Sequence, residues 1–248
     1  MNHATGEKDI SIILTCYNEG NLLEPGVNRL IKLFDLTKLD YEIVIVDDYS
    51  TDGSRERISD LATKHKQVRA IYHEENKGRG AAVTMGIKAS FGRVVGYSDL
   101  DFSSDPVYII KLYQKIMDGA DIATASRVYK LDLKSINVLH RYILHKGYKA
   151  LVKLMFRTRL TDTETGCKFF NRRSIMTYID EVKDKKWFWD TEVMIRGYFH
   201  EMKISEIPTL FIRRPETGST VRVVRDTRRY LVSLILFYKE FRRLKRQL

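Results

Sequence analysis

Short apolar runs alternate along the first half of this chain with stretches whose apolar residues recur every three or four positions. Residues 10–15, 41–47, 68–72 and 94–98 are nearly continuous apolar runs, the pattern of strands buried on both faces. Between them, residues 21–35, 54–65 and 80–89 carry helical spacing. Strand–helix alternation of this kind predicts an α/β fold, with a mostly parallel central sheet and helices on both faces.

The second half is less regular. Asp105-Pro106 opens a helix, with Asp as the cap and Pro at the first helical position. Residues 121–126 fit a fifth strand. Residues 133–161 hold seven Lys/Arg and no acid. There, Leu139, Tyr142, Ile143, Leu151, Val152, Met155 and Phe156 recur at helical spacing, which predicts a basic amphipathic helix. Residues 161–168 read as a loop, Phe169 and Phe170 as the start of a short strand, and 188–201 as a helix. Residues 204–211 are extended, and Pro208 confines them to a sheet edge. After a loop around Gly218, a C-terminal helix is expected, capped by Asp226 or Thr227. Its apolar stripe is Tyr230, Leu231, Leu234, Phe237, Tyr238, Phe241 and Leu244. With no internal repeat or flexible linker, the expected organisation is one α/β domain over 1–222. A basic helix, 223–248, is packed on that domain or appended to it.

Composition narrows the setting. Of 248 residues, 44% are hydrophobic and 30% charged, enough for a substantial core. The two cysteines, Cys16 and Cys167, exclude a disulfide scaffold and a Cys-rich zinc site and fit a reducing compartment. The first nine residues are polar and no signal-like core follows. The longest apolar run, 230–238, is interrupted by Ser233 and falls short of the roughly 20 residues a spanning helix needs. A cytoplasmic chain without a transmembrane segment is therefore expected. The net charge of +11 is uneven: residues 213–248 carry 11 Lys/Arg against three Asp/Glu. A basic tail suits an anionic partner.

Ligands of parallel α/β sheets sit beyond the carboxyl ends of the strands, and three predicted strands end there in polar clusters. These are Thr15-Cys16-Tyr17-Asn18-Glu19, Asp47-Asp48-Tyr49-Ser50-Thr51-Asp52 and Asp99-Leu100-Asp101. Two carboxylates side by side at a strand end repel unless a cation lies between them. A hard divalent cation, Mg²⁺ or Mn²⁺, prefers oxygen ligands and completes its shell with substrate phosphates. On its own the Asp-x-Asp pair reads more readily as a solvated turn; the two other polar strand ends reverse the balance toward the metal. Asp48 is assigned to a ribose or base, and Asp52 to capping the next helix. In Asn76-Lys77-Gly78-Arg79-Gly80 the glycines either let a phosphate approach a helix start or let helix and sheet pack closely. Trp187 and Trp189 are either core or the flanks of a sugar ring. The six His show no metal-binding spacing, and Cys167, without a neighbouring His, reads as a packing residue.

Three other classes fit less well. A nicotinamide oxidoreductase needs G-x-G-x-x-G after the first strand, and residues 15–20 lack it. A sugar-1-phosphate nucleotidyltransferase wants a Gly-rich first loop bearing Arg or Lys, also missing. A nucleic-acid-binding protein would account for the charge but leaves the acidic strand ends unexplained, so no nucleic-acid partner is expected.

Taken together, Ile12-Ile13-Leu14-Thr15-Cys16-Tyr17-Asn18-Glu19, Glu42-Ile43-Val44-Ile45-Val46-Asp47-Asp48-Tyr49-Ser50-Thr51-Asp52-Gly53, Asn76-Lys77-Gly78-Arg79-Gly80 and Ser98-Asp99-Leu100-Asp101 resemble a family 2 glycosyltransferase of the GT-A fold. Asp162-Thr163-Glu164-Thr165-Gly166-Cys167-Lys168-Phe169-Phe170 and Arg213-Arg214-Pro215-Glu216-Thr217-Gly218-Ser219 resemble its branch of polyprenyl- and dolichyl-phosphate hexosyltransferases. The resemblance implies a metal-dependent, inverting transfer of a hexose from a UDP- or GDP-linked sugar to a polyprenyl phosphate. An alternative acceptor is a sugar hydroxyl. Thr15, Tyr17, Glu19, Asp47, Asp48 and Leu100 would meet the nucleotide sugar, with Arg79 beside it, and Asp99 and Asp101 would bind the cation. Arg127, Glu192, Arg214 and Ser219 would serve the acceptor and phosphates. Asp162 would orient a phosphate acceptor; for a hydroxyl acceptor, Asp162, Asp190 or Glu192 would have to be the base. The basic helices suit peripheral contact with an anionic membrane on its cytoplasmic face, and such a setting allows a membrane protein partner. Ordinary core packing with a solvated basic face is the alternative for those helices.

Overall fold

The computed structural model describes residues 7–129, 136–211 and 223–244. The first half follows the alternation read from the sequence: β1 (Lys8–Cys16), α1 (Gly20–Asp35), β2 (Tyr41–Asp47), α2 (Ser54–Lys64), β3 (Val68–Tyr72), α3 (Arg79–Ala89) and β4 (Gly92–Ser98). Then come α4 (Val107–Met117), β5 (Ile122–Tyr129), α5 (Ile136–Phe156), β6 (Cys167–Asn171), the short α6 (Arg172–Met176), α7 (Trp189–Phe199), β7 (Ile204–Phe211) and α8 (Val223–Leu244).

The strands form one seven-stranded sheet in the order β3-β2-β1-β4-β6-β5-β7. Pairing is parallel throughout except at β6, which runs antiparallel to both β4 and β5. All seven residues of β2 are buried, as expected of a central parallel strand covered on both faces. On one face, Leu23, Val27, Leu30 and Phe34 of α1, Ile58 of α2 and Ile109 and Leu112 of α4 close over the sheet. On the other, Val83 and Ile87 of α3 and Val193 and Met194 of α7 do so. A third cluster joins α5 (Val152, Phe156), α7 (Ile195) and α8 (Leu234, Phe237), with Phe188 between them. The Phe156 and Phe237 rings stack there at 5.5 Å.

Several local expectations shift. The helical backbone of α4 starts at Val107, one residue later than expected; Asp105 still accepts the Val107 N–H, at 3.0 Å. β6 begins at Cys167, so Lys168 lies inside a strand, not in a loop. α8 already starts at Val223, which puts Asp226 and Thr227 inside the helix instead of at its cap. Leu231, assigned to the apolar stripe, is 37% exposed. β7 is the last strand in the order, and Pro208 lies on that edge as expected. Among the described residues, no helix is long and apolar enough to cross a membrane.

Candidate functional site

The polar clusters predicted at the ends of β1, β2 and β4 come together at one edge of the sheet. Each of the turns that follow these strands holds a non-glycine residue in the left-handed region: Asn18 (φ 55°), Tyr49 (φ 70°) and Phe102 (φ 44°). Such strained positions concentrate at functional sites. Side chains lace the turns together. Asn18 N–H donates to Ser50 Oγ at 2.9 Å, and Thr51 N–H donates to Asn18 Oδ1 at 2.8 Å. Asp52 accepts the N–H groups of Gly20 (3.3 Å) and Ser54 (3.1 Å), so it ties down the starts of both α1 and α2.

Beside these turns lies a cavity of about 710 Å³. Thr15, Tyr17, Glu19, Asp48, Asn76 and Arg79 line one side of it, and Trp187, Arg228, Arg229, Tyr230 and Val232 the other. Four of the residues assigned to the nucleotide sugar (Thr15, Tyr17, Glu19, Asp48) and Arg79 therefore share one wall. On the opposite wall Trp187 had been named from the sequence, whereas the α8 residues Arg228, Arg229, Tyr230 and Val232 carry no sequence motif. The two tryptophans divide: Trp189 is fully buried and donates to Thr84 Oγ1 at 2.9 Å, whereas Trp187 faces the cavity.

The other assignments change once partners are traced. Asp47 is fully buried behind the cavity; it accepts Ser50 N–H at 3.2 Å and pairs with Arg55 at 3.2 Å. Asp48 lines the cavity, yet its carboxylate already accepts Lys77 N–H and Gly78 N–H at 2.8 Å each and contacts His73 Nδ1 at 2.6 Å. It pins the 76–78 loop beside the cavity. Gly80 meets Trp189 so closely that an added Cβ would come within 2.6 Å of the Trp189 Cβ, so close packing is the reason for that glycine. Leu100 does not meet a ligand with its side chain, which is buried in the core with Phe102. Glu192 cannot receive a phosphate. It is buried on α7, accepts the N–H groups of Lys183 (3.1 Å) and Asp184 (2.8 Å), and pairs with Arg196 at 2.7 Å. Arg214 and Ser219 lie outside the described residues.

The acidic turn after β4 is the electrostatic centre. Asp101 is folded onto its own turn, accepting Ser103 N–H at 2.9 Å and Ser103 Oγ–H at 2.6 Å. Asp99 pairs with Arg79 at 2.6 Å, and Arg79 reaches Asp190 on α7 at 2.8 Å. Asp190 also accepts from the Tyr97 hydroxyl and lies 3.4 Å from Lys168 Nζ. Burial works against the Arg79 charge, but Asp190 and Asp99 more than offset it and hold its pKa above the ordinary arginine value. Partial withdrawal from water raises the Asp99 pKa; Arg79 pulls it down and Asp101 pushes it up. Glu19 is raised to about 7, first by burial and then by Asp99 and Asp101. Lys168, fully buried, has its pKa lowered by desolvation. Its charge inside the apolar stretch Cys167-Lys168-Phe169-Phe170 was the signal available in the sequence.

Asp99 and Asp101 offer carboxylate oxygens two residues apart on one turn, and both add to the rise in the Glu19 pKa that burial begins. Among the described residues, no group of three His, Cys, Asp or Glu holds a metal by itself. Mg²⁺ ordinarily takes one or two carboxylates and fills its shell with water and substrate phosphates, so Asp99 and Asp101 fit it.

On the far side of β6, Arg127 of β5 and Asp162 form a two-pronged pair: Nε to Oδ2 and Nη2 to Oδ1, each 2.8 Å. Asp162 is fully buried, and Glu164 Oε2 lies 3.2 Å from Arg127 Nη2. Sequence reasoning named both Arg127 and Asp162 but did not join them. Both cysteines are buried, with thiol pKa values pushed up by burial to about 11 (Cys16) and about 12 (Cys167), as packing residues require.

A mostly parallel sheet with a nucleotide-sized cavity and an acidic turn at the ends of its strands defines a GT-A-type α/β fold. Residues 11–179 match the family described as glycosyl transferase family 2, and the chain belongs to that family. It is 28% identical over 221 residues to glycosyltransferase AglD of Haloferax volcanii, covering 88% of this chain and 35% of that protein. It is 30% identical over 203 residues to the dolichol-phosphate mannosyltransferase of Pyrococcus furiosus, covering 82% of this chain and 56% of that protein. With human dolichyl-phosphate beta-glucosyltransferase the identity is 27%, over 81% of this chain and 66% of that protein. The chain thus spans between about a third and two thirds of these relatives. A solved structure of glucosyl-3-phosphoglycerate synthase from Mycobacterium tuberculosis, in complex with Mn²⁺, UDP and phosphoglyceric acid, superposes with a TM-score of 0.70 at 15% identity. The match covers 93% of this chain and 78% of that one.

Proposed function

We propose that this chain transfers a hexose, with inversion, from a UDP- or GDP-linked sugar to a polyprenyl phosphate of the dolichyl type, using Mg²⁺ or Mn²⁺. The observation that carries the reading is the pairing of a donor-sized cavity and an acidic turn with the Arg127–Asp162 pair near the end of β5, two strands beyond β4. The relatives named for dolichyl-phosphate transfer support the acceptor, and the structural neighbour solved with Mn²⁺ and UDP supports the donor class.

Thr15, Tyr17 and Glu19 would receive the nucleoside, and Asp99 and Asp101 the cation. Bound there, the cation would neutralise charge gathering on the departing diphosphate. An oxygen of the acceptor phosphate attacks the sugar's anomeric carbon as the bond to the diphosphate breaks, and the bonding pair leaves with the nucleoside diphosphate. A phosphate monoester has a second pKa near 6, so this oxygen is already anionic and needs no base. Asp162 then serves to aim Arg127 at the acceptor phosphate. A carboxylate held by two prongs of a guanidinium is a poor proton acceptor, which counts against a sugar-hydroxyl acceptor with Asp162 as base.

Peripheral membrane contact on the cytoplasmic face belongs to the same proposal. α8 leaves Ile235 and Leu236 exposed, α5 leaves Leu154 exposed, and Arg242 and Arg243 are exposed near the end of α8. Apolar side chains flanked by arginines fit an anionic bilayer surface. The deciding experiment is a screen of UDP- and GDP-sugars with a polyprenyl phosphate in detergent, read by product mass. A glycosylated lipid phosphate is expected; product only on a free sugar acceptor would refute the assignment.

A further inference from the structure

Arg79 bridges two carboxylates. One arm of its guanidinium holds Asp99 at 2.6 Å and the other holds Asp190 at 2.8 Å. The Tyr97 and Trp187 rings lie 5.2 Å from its central carbon. The two partners differ in freedom. The Asp190 side chain is only 5% exposed and is held further by Tyr97 and Lys168, so that arm is anchored. The Asp99 side chain is 43% exposed. Its backbone N–H is fastened to Gly166 O at 3.1 Å, and its carboxylate lies so close to Gly166 that a Cβ added there would overlap it. Asp99 cannot retreat toward β6; it lines a small crevice with Ser103, Ser104 and Phe211, and Arg79 stands between that crevice and the donor cavity. A guanidinium and a divalent cation on one carboxylate repel each other, so each weakens the other's hold on it.

We infer that Arg79 is a built-in counter-ion for Asp99, which a divalent cation displaces from Asp99 while Asp190 retains it, freeing one arm of the fork for a phosphate of the nucleoside diphosphate. This rests on the proposed cation site at Asp99 and Asp101. Arg79 already lines the donor cavity, so the released arm needs no large movement to meet an anionic ligand. Cation and nucleotide then favour each other: the cation exposes a phosphate-binding arm, and the phosphate compensates the arm for the lost carboxylate. Coupling of this kind is reciprocal and commonly 5- to 150-fold. Asp190 acts here as a positioning residue.

The test is Mn²⁺ binding without nucleotide, followed by electron paramagnetic resonance of the free ion, on wild type, Arg79→Lys, Arg79→Gln and Asp99→Asn. Arg79→Gln leaves a buried carboxylate without its arginine; Arg79→Lys keeps a charge beside Asp190 yet cannot span both acids, so it remains informative if the first variant unfolds. The expected result is nucleotide-free Mn²⁺ binding roughly tenfold tighter in the position-79 variants, with UDP or GDP no longer enhancing it as in wild type. Mn²⁺ affinity at or below wild type in both, with binding abolished by Asp99→Asn, overturns the counter-ion role and leaves the cation site standing. Mn²⁺ binding indifferent to Asp99→Asn removes the cation site and this inference with it.

Discussion

At Glu19, burial and the nearby Asp99 and Asp101 carboxylates oppose ionisation and lift the pKa to about 7. Below about pH 4.5 the group is protonated in both folded and unfolded chains and costs nothing. As pH rises toward 7 the unfolded chain ionises while the folded one holds its proton, so stability falls; above 7 the loss is complete. Glu19→Gln removes this effect. Its melting temperature should match wild type near pH 4 and exceed it at pH 8. For this partly screened side chain the gain is on the order of 1–2 kcal/mol, or about 2–8 °C. Equal melting curves at pH 8 would contradict the electrostatic picture of the acidic turn. Asp162→Asn tests the neighbouring centre: losing the two-pronged grip on Arg127 should lower turnover by roughly tenfold and raise the acceptor KM. Near-complete loss of turnover with binding intact would instead make Asp162 the base for a hydroxyl. The reach of sequence reasoning at this scale was uneven. The place of Thr15, Tyr17, Glu19 and Asp48 on the cavity wall is legible because they end strands. The burial of Leu100 and Glu192 is not, because motif position does not reveal whether a side chain turns toward the core or toward neighbouring N–H groups.

Elements were legible in proportion to their burial. β1, β2 and β4 announce themselves as apolar runs because helices cover both their faces. β6 is short and carries Lys168, so its charge disguised its start as loop. α8 was visible as an amphipathic helix, but not its place as a cavity wall, since that depends on packing against Phe156 and Phe188, far away in sequence. Its two faces should respond differently to substitution. Leu234 is fully buried, and Leu234→Ala should cost about 2–5 kcal/mol in chemical denaturation. The double change Ile235→Ser and Leu236→Ser alters side chains 47% and 60% exposed. It should leave denaturation nearly unchanged while weakening co-sedimentation with anionic vesicles at least tenfold. Unaltered sedimentation would separate α8 from the bilayer.

For the whole molecule, the net charge of +11, concentrated toward the C-terminus, predicts an affinity for membranes that depends on lipid charge and on salt. Each Lys or Arg near an anionic leaflet contributes about 1 kcal/mol, and the attraction is screened within a Debye length of ~8 Å at physiological ionic strength. Co-sedimentation should be strong with anionic vesicles at low salt, fall steeply as salt is added, and be weak with neutral vesicles. Equal binding to neutral vesicles would show that apolar insertion alone accounts for the attachment. The fold class was readable at this scale because strand–helix alternation leaves few topologies; the reversed strand was not, because its direction is set by its neighbours.

That reversal governs distance. Since β6 runs against its neighbours, the segment entering it arrives at the margin from which β4 departs: Cys167 is level with Ser98, and Lys168 with Thr124 of β5. Had all seven strands pointed one way, Asp162 and Gly166 would sit at the opposite margin, a strand's length from Asp99. Instead, the Asp99 N–H meets Gly166 O at 3.1 Å, and β4 and β5 lie two ladder spacings apart, about 10 Å, so the acidic turn and the Arg127–Asp162 pair share one rim of the sheet.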